Sequence, residues 1–218
     1  MTTTKDHLIR LLIGSSIICV LMVALRFLWT SSFGYSFLIW NLFLAWMPLF
    51  LALYVRRLET KMKSRFTIAA VFLSWLVFFP NAPYILTDMV HLNPDKSIGY
   101  WYDLILILLC AWNGLILGLI SLNKMHHFLI RQFKQTVSWF FITGIIVLSS
   151  FGIYLGRVQR YNSWDIIMRP GKLFTDILSH IIYPLSYPGT LSITFGFSVF
   201  LMISYLTFLN FNKSRSKV

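Results

Sequence analysis

The chain has few charged residues, and this scarcity decides its class. Charged side chains make up 12% of its 218 residues, whereas a soluble domain has about a quarter. Hydrophobic residues make up 57%, and the mean hydropathy is +0.72. The composition excludes an ordinary soluble domain and indicates an integral membrane protein.

Cysteine is also scarce, and the common sequence motifs of catalysis are missing. Cys19 and Cys110 stand in separate apolar runs, which is typical of inert buried thiols and excludes a CxxC redox or zinc motif. The sequence contains no P-loop, GxGxxG or GxSxG motif and no HExxH-like spacing, so no metal site is predicted. Any other cofactor remains unknown from the sequence.

Long apolar runs dominate what is present, and we count six that can cross a membrane. A transmembrane helix needs about 20 apolar residues. The runs predict one membrane-embedded domain, residues 1–218, which is an all-α polytopic bundle of about six spans. The predicted spans are 11–30, 33–55, 66–92 with a break at 80–83, 102–122, 137–156 and 190–211.

Basic residues are concentrated on one side of this bundle. Of the 19 Lys and Arg residues, 13 fall in the termini and in the connections 56–65 and 123–136, and five fall in 80–101 and 157–189. Positive residues mark the cytoplasmic side, so both termini are predicted in the cytoplasm of a multi-pass cell membrane protein. The net charge of +12 is then a topology signal that favours membrane lipids as partners and no nucleic acid.

The third span stops early, in the stretch FFPNAPYILTDMVHL at residues 78–92. Fourteen residues separate Arg65 from Pro80, a rise of about 21 Å, and the hydrocarbon core is roughly 30 Å thick. Pro80 and Pro83 lack N–H donors, so backbone groups are freed at a depth where they must face protein or a wet cavity. We predict two helical pieces interrupted within Pro80–Pro83, with Asn81 as a cap of the second.

The second piece carries a polar stripe. Tyr84, Thr87, Asp88 and His91 stand at i, i+3, i+4 and i+7, which is one face of a helix. Asp88 and His91 are the candidate catalytic residues, as general acid or base. The alternative is a wetted helix face at the outer surface, although charged groups beside hydrocarbon are costly.

Other polar residues on the same predicted side are candidates for binding a substrate. Two arginines at i, i+3 suit a phosphate or carboxylate. Structural roles remain open for each of them. The residue at 41 can form an interhelical hydrogen bond, and the acid at 103 can make a favourable contact with the helix dipole. The arginines can pair with acids or lipid headgroups, and the residues at 162 and 165 can cap a helix. The candidates are Asn41, Asn81, Asp103, Arg157, Arg160, Asn162 and Asp165. We expect Asp88, His91, Asp103 and Arg157 to lie within roughly 10 Å of one another.

Three further patterns have structural interpretations. Residues 172–183 predict an amphipathic helix in the outer interface, with Asp176 and His180 on its solvated face. The pairs Gly114/Gly118 and Gly152/Gly156 are typical of close helix packing. The adjacent histidines at 126 and 127 are interpreted as part of a solvated inner loop.

Four blocks of sequence resemble a family of small prokaryotic integral membrane proteins, domain of unknown function 1361. They are NLFLAWMP (41–48), FFPNAPYILTDMVHL (78–92), WYDLILILLCAWNGLILG (101–118) and GIYLGRVQRYNSWD (152–165). The resemblance covers roughly residues 37–210, and the PNAPY…TD…HL block is its most specific element. It implies a polytopic membrane fold and no particular activity.

Three classes of function fit these observations. The favoured one is an outward-facing Asp/His/Arg site for an anionic or lipid-linked substrate, with acid–base catalysis if the protein is an enzyme. A transporter or permease subunit fits the broken span but requires a polar path to the inner side. An assembly partner of another membrane protein, or an oligomer, requires an exposed packing face.

Overall fold

The computed structural model describes residues 2–61, 64–92, 99–161, 168, 170–183 and 186–215, and within these ranges the regular structure is helical, with no strand. The all-α prediction is therefore confirmed. The helices are α1 Thr2–Thr30, α2 Phe37–Thr60, α3 Arg65–Phe78, α4 Asn81–Tyr84, a 3₁₀ helix Ile85–His91, α5 Tyr100–Gln132, α6 Gln135–Arg157, α7 Pro170–Ile182 and α8 Pro188–Arg215.

Six segments of the described chain are long and apolar enough to cross a membrane, as predicted. They are His7–Thr30, Phe37–Thr60, Arg65–His91, Tyr100–Gln132, Gln135–Arg157 and Pro188–Asn212. The protein is therefore a multi-pass membrane protein. Because consecutive spans alternate in direction, α1, the 3₁₀ helix and α6 end at the same end of the bundle, where α2, α5 and α8 begin. We call this the site end.

Helix α5 is the centre of the bundle. It packs against α1, α2, α4, the 3₁₀ helix, α6 and α8, and buried leucines and isoleucines line its length. Helices α1 and α8 bury much less of their surface, so most of their apolar side chains face the lipid. Helix α5 therefore packs against each of the elements α2, the 3₁₀ helix and α6.

The structure corrects the predicted end of the fourth span. Helix α5 continues from the predicted end at residue 122 to Gln132, because Leu122, Met125 and Leu129 extend its buried stripe. His126 therefore lies inside a helix and is buried, with Nδ1 2.7 Å from the Tyr205 hydroxyl. The prediction of a solvated loop at this position was wrong.

The interruption of the third span is tighter than predicted. Helix α3 ends at Phe78, and the backbone hydrogen bonds continue from the Ala82 N–H to the Phe79 carbonyl at 3.2 Å and from the Tyr84 N–H to the Pro80 carbonyl at 3.0 Å. Asn81 is the first residue of α4 and Pro80 occupies the N-cap position, so Asn81 is not the predicted cap; its amide nitrogen donates back to the Phe78 carbonyl at 3.0 Å. The chain then tightens into a 3₁₀ helix, where the sequence had indicated an α-helix.

The two glycine pairs pack against this interruption. A Cβ atom at Gly114 of α5 would overlap the Ala82 carbonyl oxygen, and one at Gly118 would lie 3.3 Å from the Ala82 Cβ. On α6, Cβ atoms at Gly152 and Gly156 would lie 3.1 Å from Pro80 Cγ and 3.0 Å from Tyr84 Cε2. The absence of side chains on both helices lets α4 fit between them.

Candidate functional site

Arg157, the last residue of α6, is the centre of the polar site. Its Nε donates to Thr87 Oγ1 at 2.7 Å, its Nη1 lies 3.0 Å from His91 Nε2, and its Nη2 donates to Asp88 Oδ1. Its Cζ atom lies 4.5 Å from the centre of the Tyr84 ring, a cation–π contact. One guanidinium therefore binds the whole polar stripe of the third span.

Asp88 holds this arginine from inside the protein. Its side chain is 0% exposed, with one oxygen bonded to Arg157 and the other to Asn41 Nδ2 at 2.8 Å. Helices α2 and α6 thus meet on one carboxylate of the 3₁₀ helix. A buried carboxylate requires such partners, because an unpaired charge in this environment costs several kcal/mol.

The 3₁₀ geometry aligns the site residues. Side chains at i and i+3 eclipse in a 3₁₀ helix, which places Asp88 and His91 on one edge. Thr87 donates to the Tyr84 carbonyl at 2.6 Å and accepts from Arg157. The helix has seven residues, longer than the three or four that are usual, and Arg157 contacts three of them.

The bond to Arg157 fixes which ring nitrogen of His91 accepts a hydrogen bond. A guanidinium can only donate, so His91 Nε2 accepts and the proton of the neutral imidazole lies on Nδ1. The ring is exposed and lies 4.8 Å, centre to centre, from the Phe37 ring. His91 therefore presents an N–H donor to the outside of the site.

The exposed part of the site consists of donors. A guanidinium has five N–H donors, and three of them bond to the third span. Among the residues that the structure describes, the other two have no partner, and the side chain is 20% exposed. His91 adds its Nδ1–H. The acceptors beside them are engaged, since Asp88 is fully buried and the Thr87 hydroxyl bonds on both sides.

Asp103 belongs to a neighbouring ion pair. It binds Arg26 of α1 through two hydrogen bonds, Nε to Oδ1 at 2.5 Å and Nη2 to Oδ2 at 2.9 Å. The expected cluster of Asp88, His91, Asp103 and Arg157 is thus divided between two arginines. Sequence reasoning missed Arg26 as a partner, although a lone arginine inside a predicted span is itself a signal that an acid lies opposite it.

Tyr35 connects the two ion pairs. Its ring lies over Arg26, 4.0 Å from Cζ, and its hydroxyl donates to the His91 backbone carbonyl at 3.1 Å. Burial raises the pKa of Tyr35, which keeps the phenol protonated as a donor. The Arg26–Asp103 pair therefore supports the end of the 3₁₀ helix that carries His91.

Of the remaining predicted residues, the structure describes Asn81 and Arg160. Asn81 bonds within the interruption, and Arg160 is exposed with a positive φ of 59°. Asn162 and Asp165 lie outside the described residues. Within the described ranges, no group of three His, Cys, Asp or Glu side chains is arranged to hold a metal ion.

Helix α7 is docked more firmly than predicted. Asp176 accepts from the Tyr161 hydroxyl at 2.5 Å. His180 is buried, with Nδ1 2.7 Å from the Asp176 carbonyl and Nε2 3.3 Å from the Tyr154 hydroxyl. The prediction of a solvated face for Asp176 and His180 was therefore wrong, because this edge of α7 faces tyrosines near the end of α6.

Polar residues also occur at mid-depth, where sequence reasoning named none on α5. Asn113 is buried and bonds to Ser15 Oγ at 2.5 Å and to the Leu109 carbonyl at 3.0 Å. Trp75 Nε1 donates to Ser121 Oγ at 2.7 Å. The Ser15–Asn113 and Trp75–Ser121 bonds are separate interhelical bonds of the kind that join transmembrane helices.

Comparison with known proteins identifies a family without an assigned activity. A family model described as a protein of unknown function (DUF1361) matches residues 40–206, which includes Asn41, Asp88, His91 and Arg157. No curated protein and no solved structure matches the chain.

Proposed function

The chain belongs to the DUF1361 family of proteins of unknown function, and we propose that it binds an anionic group, a phosphate or carboxylate, at the site end of its bundle. The observation that carries this proposal is the arrangement of Arg157 and His91, whose exposed groups are donors while the neighbouring acceptors are engaged. A site of convergent donors is complementary to an anion.

The other residues of the site position the arginine. Asp88 and Asn41 fix the guanidinium plane from the buried side, and Tyr84 and Thr87 fix it from the 3₁₀ helix. A guanidinium with a fixed plane can bind two anion oxygens at once, which a lysine cannot do. Of the two candidate catalytic residues, His91 is the one that can touch a ligand, and its Nδ1–H can donate a hydrogen bond to it.

The distribution of charge supports an outward-facing site. The end of the bundle opposite the site carries most of the lysines and arginines, including Arg56, Arg57, Lys61 and Arg131. By the positive-inside rule that end is cytoplasmic. The ligand is then taken from the outer face of the cell membrane, and both termini are cytoplasmic.

A binding measurement on the purified protein tests the proposal. Arg157→Lys retains the charge beside Asp88 but loses the planar donor geometry, and Arg160→Lys is the matched control three residues away. We expect Arg157→Lys to weaken binding of glycerol phosphate by about tenfold, the loss of one good charge-assisted contact, and Arg160→Lys to leave it within about twofold of the wild type. Equal effects of the two substitutions would overturn the proposal.

A further inference from the structure

Helix α7 exposes an apolar stripe beside the anion site. Phe174, Leu178 and Ile182 stand at i, i+4 and i+8, on one face of the helix. They are 63%, 37% and 60% exposed. Scattered exposed apolar residues are common on proteins, but here three large side chains line one face of a helix whose buried edge is polar.

The buried edge of α7 fixes the helix to the turn of α6 that carries Arg157. Tyr154 lies one turn before Arg157, and its hydroxyl contacts His180 of α7. The His180 ring stacks on Tyr187 at 4.1 Å, centre to centre, immediately before α8 begins. The stripe is therefore held in a fixed position relative to the guanidinium.

The stripe continues a lipid-facing surface. Helix α7 connects the site end of α6 to the site end of α8, so it lies at the level where these spans leave the membrane. The first turns of α8 expose Leu191 and Phe195. An amphipathic helix in this position lies in the interface, with its apolar face among the acyl chains.

The charges of this region complement an anionic headgroup. Lys172 of α7 and Arg160 are exposed, and the Arg157 side chain is 20% exposed. The described carboxylates nearby are engaged, Asp88 with Arg157 and Asp176 with the Tyr161 hydroxyl. The surface therefore combines exposed cations with an apolar stripe. An anionic phospholipid has complementary parts, since its phosphate can bind the cations and its acyl chains can contact the stripe.

We propose that the ligand of the Arg157 site is an anionic membrane lipid, whose phosphate binds Arg157 and His91 and whose acyl chains lie along the α7 stripe. This inference rests on the proposed function, and it adds that the ligand enters from the membrane. A soluble phosphate has the same headgroup chemistry but gains nothing from α7.

The test compares a lipid with a soluble ligand, both of which present a glycerol-linked phosphate. Binding of phosphatidylglycerol and of glycerol phosphate is measured on the full-length protein in detergent, with phosphatidylcholine as the zwitterionic reference. The double variant Phe174→Gln/Leu178→Gln removes the stripe, and Thr175→Gln places the same side chain at an exposed position of the same helix. Both changes are at exposed positions, and each variant should elute from a size-exclusion column at the volume of the folded wild-type protein.

We expect phosphatidylglycerol to bind at least about tenfold more tightly than glycerol phosphate, because apolar burial contributes only for the lipid. The double variant should remove most of this difference, with glycerol phosphate and the Thr175→Gln protein unaffected. Arg157→Lys should weaken both ligands.

Three outcomes would overturn the inference. If the double variant leaves the preference for the lipid intact, or weakens both ligands alike, α7 does not bind acyl chains, while the anion site stands. If the wild type forms a larger assembly that the double variant does not form, the stripe is a protein interface. If Arg157→Lys changes neither ligand, the proposed function itself is wrong.

Discussion

Arginine–carboxylate pairs occur at both ends of the bundle, and the Arg131–Glu59 pair differs in geometry and exposure from the Arg157–Asp88 pair. At the end opposite the site, Arg131 donates to both oxygens of Glu59, at 2.9 and 2.6 Å, and the side chains are 46% and 21% exposed. At the site end, Arg157 and Asp88 are 20% and 0% exposed. The better bidentate geometry belongs to the pair that matters less for stability, since exposed pairs contribute about 0–1 kcal/mol.

The difference shows what the buried pair does. Arg157 and Asp88 are desolvated, and desolvation often offsets the attraction between two charges. Such a pair fixes the position of the guanidinium and the carboxylate, because the two groups bind each other and are also hydrogen-bonded to Asn41, Thr87 and His91. The site end is therefore expected to respond strongly to substitutions that the opposite end tolerates.

The largest effect is expected from removing the arginine of each pair. Arg157→Met leaves the Asp88 carboxylate buried without its charged partner and should lower the free energy of unfolding by about 3–5 kcal/mol. Arg131→Met should lower it by less than about 1 kcal/mol. Unfolding of the detergent-solubilised protein measures both, and equal losses would mean that Asp88 is hydrated.

A double substitution is the control for this interpretation. If the loss comes from an isolated buried charge, Arg157→Met together with Asp88→Leu should recover part of the stability. Anion binding should stay absent in the double variant. Additive losses would instead indicate that the two side chains are needed for packing.

The second effect concerns the amides that assist each carboxylate. Asn41 Nδ2 donates to Asp88 at 2.8 Å, and Gln132 Nε2 donates to Glu59 at 3.5 Å. Asn41→Leu should destabilise by about 1.5–3 kcal/mol, the range for hydrogen bonds to charged groups, while Gln132→Leu at the exposed pair should change stability by less than about 0.5 kcal/mol. Similar losses of stability for both variants in the same unfolding assay would contradict the expectation that the site end is the more sensitive of the two ends.

The sequence predicts much of this arrangement for physical reasons. Asp88 and His91 are three residues apart, a spacing that shares a face in both α and 3₁₀ helices. Strict alternation of the spans brings Arg157 to the same end as the third span. The six spans follow from hydropathy alone, because a helix in lipid must satisfy its own backbone.

The parts that escape prediction depend on tertiary contacts. Asp103 was expected near Arg157, and the packing of α1 on α5 pairs it with Arg26 instead. The 3₁₀ form of residues 85–91 is held by Arg157, a residue far away in the sequence. Two adjacent histidines look like a solvated loop, but Tyr205 of α8 buries His126.

The third effect tests the glycines that enclose the interruption. Gly114→Ala places a methyl group on the Ala82 carbonyl oxygen, and Gly144→Ala places one where no atom lies within 4 Å. Gly114→Ala should destabilise by about 1–3 kcal/mol through overpacking. Gly144→Ala should be neutral or stabilise by up to about 1 kcal/mol, since alanine favours a helix. Thermal unfolding compares them, and a harmless Gly114→Ala would show that α4 can move away from α5.

The smallest effect concerns Tyr35, whose substitution distinguishes a contribution to anion binding from a contribution to stability. Tyr35→Phe retains the ring over Arg26 but loses the hydroxyl bond to the His91 carbonyl. Tyr102→Phe loses an equivalent bond to the Met22 carbonyl, at 2.7 Å. Each change should destabilise by about 0.5–1.5 kcal/mol. Only Tyr35→Phe should also weaken glycerol phosphate binding, by about two- to fivefold, because loosening the end of the 3₁₀ helix moves His91 away from Arg157. Binding curves of the two variants measured side by side decide this, and equal affinities would remove Tyr35 and the Arg26–Asp103 pair from the site.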